Sequence, residues 1–124
     1  MLQAMVVIAL ALWGYVLPMH VTVVRSDADP HGFVAFTDGG LTDPAHPLDT
    51  CDILVMSRNF DQLTPHLQQN AITHEVGHCL GLQHLDVPGI MFPSVAYDFT
   101  DADRAEYRRV HDPLRRAFAF VAAD

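Results

Sequence analysis

Residues 74–84 read His74-Glu75-Val76-Gly77-His78-Cys79-Leu80-Gly81-Leu82-Gln83-His84, the pattern H-E-x-x-H-x-x-G-x-x-H. Two histidines four residues apart stand one turn apart on the same helix face, so both imidazoles can reach one ion about 2.0–2.1 Å from each nitrogen. Gly81 allows the left-handed backbone that ends a helix and turns the chain back, which brings His84 to the same ion as a third ligand. Three neutral nitrogens leave a fourth tetrahedral position for water, whose pKa zinc lowers toward about 7; that is the ligand count of a catalytic rather than a closed structural site. Glu75, beside the first ligand, is placed to accept that water's proton and pass it to a leaving amine. With eight His, two Glu and seven Gly in the chain, a chance match anywhere along it is on the order of 10⁻⁵ to 10⁻⁴. The other histidines, His20, His31, His46, His66 and His111, show no ligand spacing and are expected at the surface or in loops.

Working outward, Thr64-Pro65 reads as an N-cap followed by proline at the first helical position. Leu67, Ala71, Ile72, Val76, Cys79 and Leu80 then recur at three- and four-residue intervals, which predicts one helix packed on a sheet and stopping at Gly81. Upstream, Asp52–Ser57 is an apolar run read as a strand buried on both faces. Asp27–Asp49 is rich in Asp, Gly and Pro and reads as loop interrupted by one short strand, Phe33–Thr37. His20–Arg25 is β-branched and reads as a further strand. A last helix is expected from Thr100, where Thr100 and Asp103 resemble a capping pair, with Asp112-Pro113 breaking or kinking it. The fold class is α+β.

Met1–Met19 is nearly all apolar and has two readings: a core helix ended by Pro18, or a signal or anchor segment. The first Arg is Arg25, no small-x-small cleavage site follows, and the apolar stretch Ala4–Leu17 is shorter than the roughly 20 residues a bilayer requires. These points favour the core helix and make a membrane partner unexpected. A helix with almost no polar face is nevertheless unusual at a surface.

The length of 124 residues allows one domain, spanning residues 1–124. Seven Arg, no Lys and fifteen acidic residues give a formal net charge of -8, so nothing basic is available to track a phosphate backbone and no nucleic-acid partner is expected. Half the residues are hydrophobic and mean hydropathy is +0.16, which excludes a disordered chain. Two Cys are too few for a disulfide-framework miniprotein.

The extended histidine motif resembles that of the metzincin zinc metallopeptidases, and the chain looks most like their matrixin branch. The resemblance implies a metzincin-like zincin domain: a twisted mixed sheet on the active-site helix, a methionine turn and a C-terminal helix. Gly89-Ile90-Met91-Phe92-Pro93 matches the methionine turn, making Met91 its methionine and Pro93 part of the pocket wall. Phe99–Val110 is similar to the C-terminal helix, and Ala9–Val24 to the family's first helix and strand. Departures are also visible. The tyrosine usual after the turn would fall at Val95, and Tyr97, the substrate-pocket candidate, is displaced by two. His31–His46 is similar to the family's structural-metal loop, which would imply a calcium or second zinc, but the acidic residue expected there is Phe33. The chain is short for the family, so some strands are expected to be reduced or missing.

Cys79 lies one residue past a ligand, turned roughly 100° around the helix, and Cys51 opens the strand beneath it. A Cys51–Cys79 disulfide is therefore geometrically reasonable, the alternative being two buried thiols in a reducing compartment. The enzyme class and a disulfide point to a secreted or extracytoplasmic protein, although no conventional signal peptide is visible.

The expected activity is hydrolysis of a peptide bond in an extended polypeptide paired along a strand edge, with one catalytic zinc. Two alternatives stay open. One is a metal-binding but catalytically silent metzincin-like domain; the other is a zinc-dependent ribonuclease, against which Glu75 and the acidic, Lys-free composition count.

Overall fold

Strand β3 (Thr50–Met56) lies at the centre of a three-stranded mixed sheet, with β1 (His20–Ser26) parallel on one side and β2 (Ala35–Gly39) antiparallel on the other. The computed structural model describes residues 1–15, 19–27, 34–39, 50–94 and 96–123, and for residues 38, 39 and 113–123 the backbone only. Around the sheet stand helices α1 (Leu2–Trp13), the one-turn α2 (Ser57–Phe60), α3 (Pro65–Cys79) and α4 (Asp101–Ala123). A small α+β protein with four helices among the described residues is thus the observed class. No described helix is long and apolar enough to cross a membrane.

Register explains which side of the sheet meets the helices. Cys51, Ile53 and Val55 of β3 are buried, while Asp52 is exposed and Leu54 only half-buried. The run expected to be covered on both faces is covered throughout on the face of Cys51, where α3 packs; on the other face Met56 is buried and Leu54 half-buried, while Asp52 and Leu54's neighbours Val24 and Phe36 are exposed. β2 pairs Thr37 with Ile53 and Ala35 with Val55, so those two side chains emerge on the helix face. The strand begins later than the expected Phe33, whose position lies outside the described residues.

Helix α3 begins as its sequence dictates, with the Thr64 hydroxyl accepting from the Leu67 amide at 3.4 Å and Pro65 in the first turn. It ends at Cys79, with Leu80 as C-cap, and Gly81 just beyond has a φ of 91°, the left-handed conformation expected there. Ala71, Ile72, Val76, Cys79 and Leu80 are buried against Ile53, Val55 and Phe60 in one core.

The apolar segment 2–13 is helical and contributes Val6, Ala9 and Trp13 to that core. It stops at Gly14 (φ 81°), with the Tyr15 amide reaching back to Leu10 O at 3.0 Å, four residues before the expected stop at Pro18. Trp13 is the anchor: its Nε1 donates to Thr73 O at 2.9 Å, and its ring meets Phe99 edge-on at 4.7 Å and Tyr107 at 5.8 Å. Ala4, Val7, Ile8, Ala11 and Leu12 form an exposed apolar stripe along the outer side.

Two expectations are corrected in α4. Asp112-Pro113 does not break the helix, which continues to Ala123, because a proline removes a single ladder bond and neighbouring residues keep theirs. His111 is not a surface residue: it is buried, stacks on Tyr107 at 4.3 Å and donates from Nε2 to Leu80 O at 2.7 Å, closing the C-terminal end of α3. His20 and His66 are exposed as expected, and His31 and His46 lie outside the described residues.

Candidate metal centre

His74 and His78 project from the last two turns of α3, and His84 returns on the segment that Gly81 redirects. Their Nε2 atoms converge: His74 to His78 is 3.1 Å and His74 to His84 is 3.2 Å, with one nitrogen of each residue within 4.8 Å of the others. Nitrogens held about 2.0–2.1 Å from one tetrahedral ion stand about 3.3–3.4 Å apart, so the donor set fits a single metal. The three rings could hold one ion between them, and no other such group occurs among the described residues.

The opposite ring nitrogens fix this arrangement. Nδ1 of His74 donates to Ile90 O at 2.5 Å and Nδ1 of His78 to Leu82 O at 2.8 Å, which commits each Nδ1 to a proton and leaves each Nε2 a lone pair. Burial, chiefly, lowers the pKa of His74 to about 4, with nearby His78 and His84 adding to the effect and the Ile90 carbonyl opposing it. His84 is lowered as well, by desolvation first and then by His78, although it is exposed. Neutral imidazoles are the form that binds metal.

The loop of Met91 packs against α3, its Ile90 carbonyl accepting from His74 and its Met91 side chain lying against Gly77. That side chain is fully buried, and a Cβ added at Gly77 would lie 2.5 Å from Met91 Sδ and 2.9 Å from Trp13 Cζ2. Gly77 is therefore what lets α3 settle onto this loop. Asp103, 0 % exposed, receives the Ile90 amide at 2.8 Å, the Met91 amide at 3.0 Å and the Thr100 amide at 2.9 Å. The sequence identified Asp103 as a helix-capping partner of Thr100, and that contact is present; its hold on the Met91 loop has no local sequence signal.

Glu75 is 7 % exposed and its carboxylate Oε2 accepts from the Thr37 hydroxyl at 2.6 Å. Burial raises its pKa, while the Thr37 hydrogen bond and nearby His78 pull it down. Thr37 went unrecognised in the sequence, since only the register of β2 shows that its side chain meets α3.

Cys51 and Cys79 are joined, with Cα atoms 5.7 Å apart, so the helix carrying His74 and His78 is bonded to the central strand. Pro93 is exposed, and Tyr97 is exposed too, its ring edge-on to Phe92 at 5.4 Å. The Tyr97 carbonyl accepts from Asn70 at 3.3 Å, and Asn70 and His66 both donate to Asp98, at 2.9 and 2.7 Å. These bonds tie the segment after Met91 to α3 at His66 and Asn70. Val95 and the 31–46 loop expected to hold a second metal lie outside the described residues.

No family model matches the chain, and neither a curated protein nor a solved structure is significantly similar to it.

Proposed function

We propose that the chain is a zinc-dependent endopeptidase with a metzincin-type domain, most like the matrixins. The observation that carries this reading is the convergence of three imidazole Nε2 atoms beside a buried glutamate on the same helix. His74, His78 and His84 would hold the zinc. Zinc there supplies Lewis-acid polarisation of a carbonyl and acidification of water.

The protein's own part follows from its residues. Glu75 takes a proton from the attacking water and returns it to the departing amine. Its raised pKa moves the carboxyl toward the range where such a shuttle works in both directions. His84, exposed, leaves the open side of the centre to substrate. The substrate pairs in extended form along β2, whose second edge is unpaired among the described residues and which carries Thr37 beside Glu75. Met91 supports α3 at Gly77, and Pro93 and Tyr97 border the pocket for the residue after the scissile bond. The disulfide is compatible with an oxidising, extracytoplasmic compartment.

Two other readings compete. A silent metal-binding domain would share the ligands and the Glu75–Thr37 contact, and it is separated from the peptidase by turnover. A ribonuclease is disfavoured by the charge of -8. The test is digestion of a mixed peptide library by zinc-loaded protein beside Glu75→Gln. Cleavage that vanishes in the variant supports the peptidase; no cleavage by folded, zinc-loaded wild type overturns it.

A further inference from the structure

Glu75 bears three rotatable side-chain bonds, yet a shuttle must present one carboxylate oxygen to the ring centre in one orientation. Its backbone is fixed by α3, but that fixes only Cα and Cβ. Among the described residues the one side chain hydrogen-bonded to the carboxylate is Thr37, which comes from a different element and stands 38 positions away in sequence. The hydroxyl has a single proton and two acceptors in reach, Glu75 Oε2 at 2.6 Å and Glu75 O at 3.1 Å. The shorter contact, to a charged group, is the stronger of the two.

Thr37 is itself immobilised. It stands opposite Ile53, a fully buried residue of the central strand, and a β-branched side chain has few rotamers in a strand. A stiff, sheet-mounted donor thus grips one oxygen of a flexible acceptor. With one lone pair of Oε2 engaged by Thr37, Oε1 is the less committed oxygen.

Resting on the peptidase reading, we propose that Thr37 is the positioning residue of the general base, holding Glu75 Oε2 so that Oε1 alone serves as the proton acceptor. The arrangement also joins the base to the strand edge proposed to bind substrate, so seating of the peptide and alignment of the base are set by one residue.

The experiment compares Thr37→Val, which keeps shape and loses the hydroxyl, with Thr37→Ser, which keeps the hydroxyl. On a peptide cleaved by wild type, Thr37→Val lowers kcat about tenfold, the effect of losing one hydrogen bond to a charged group. KM and zinc affinity stay unchanged, and Thr37→Ser restores most of kcat. A second readout needs no turnover. The chain has two glutamates, Glu75 and Glu106, so ¹³C-glutamate labelling yields two side-chain carboxyl signals. In metal-free protein Thr37→Val shifts the Glu75 signal, Thr37→Ser returns it, and Glu106 does not move. Wild-type kcat in Thr37→Val, or a loss confined to KM or zinc affinity, overturns the proposal; so does an unmoved Glu75 signal. If zinc-loaded wild type proves inert, the peptidase reading fails, and the carboxyl signal alone decides whether Thr37 holds Glu75.

Discussion

Asp103 holds Met91 by its backbone: the Met91 amide donates to Asp103 Oδ1 at 3.0 Å, while the neighbouring Ile90 amide donates to Oδ2 at 2.8 Å. The Ile90 carbonyl in turn receives His74 Nδ1. One buried carboxylate at the start of α4 is therefore connected to a candidate metal ligand through a single intervening residue.

Asp103→Ala should consequently strand three amide donors, those of Ile90, Met91 and Thr100, and cost about 3 kcal/mol or more of stability. Zinc affinity should fall about tenfold or more, as it does when groups supporting metal ligands are removed. Urea unfolding and competition with a chelating dye measure the two. An unchanged zinc affinity would detach Asp103 from the metal centre.

Gly77→Ala introduces a methyl where Met91 Sδ and Trp13 Cζ2 already stand. The expected destabilisation is about 1–3 kcal/mol. Met91→Ala alone should also destabilise, by leaving a cavity, but the double variant should be less impaired than the sum, since one change makes room for the other. Additive losses in thermal unfolding would show that the two residues do not share this space.

The Cys51–Cys79 bond closes a loop with a sequence separation of 28. Replacing both cysteines by alanine should cost about 3.5 kcal/mol on the chain-entropy account. Because Cys79 adjoins His78, the reduced or substituted protein should also bind zinc more weakly. Calorimetry with and without reductant checks the first point, and zinc titration of the reduced protein the second.

Metal-free protein should lose stability as pH falls from about 6.5 toward 4. His74 titrates at about 4 when folded and near 6.5 when unfolded, so across this window the unfolded chain binds more protons and acid favours it. The loss is on the order of 3 kcal/mol across the window. Glu75 acts oppositely, since its raised pKa makes the folded state the better proton acceptor, so the measurement belongs in the Glu75→Gln background. Urea midpoints at several pH values check it, and a flat profile would mean that His74 is not held neutral by burial.

The candidate ligands were legible because the 3.6-residue helical period turns a spacing of four into a shared face, and Gly81 marked the turn that brings His84 back. Thr64-Pro65 likewise announced the start of α3 by local chemistry. What the sequence concealed depended on contacts between distant elements. Strand parity at Thr37 is fixed only by pairing with Ile53. His111 has no spacing to betray it, and its burial follows from α4 lying against the end of α3. The outer face of β3 is covered only in part, at Met56 and half at Leu54, and an apolar run does not reveal how many layers will cover it.

The chain of contacts from His74 through Ile90 to Asp103 also sets an order of events during synthesis. All three ligands have been translated by residue 84, yet the carbonyl that aims His74 and the carboxylate that fixes that carbonyl lie later in the chain. A nascent polypeptide reaching only His84 has the three candidate ligands but neither the Ile90 carbonyl nor the Asp103 carboxylate that orient His74 in the folded protein. The rigid centre exists only once the C-terminal helix has been made and has docked.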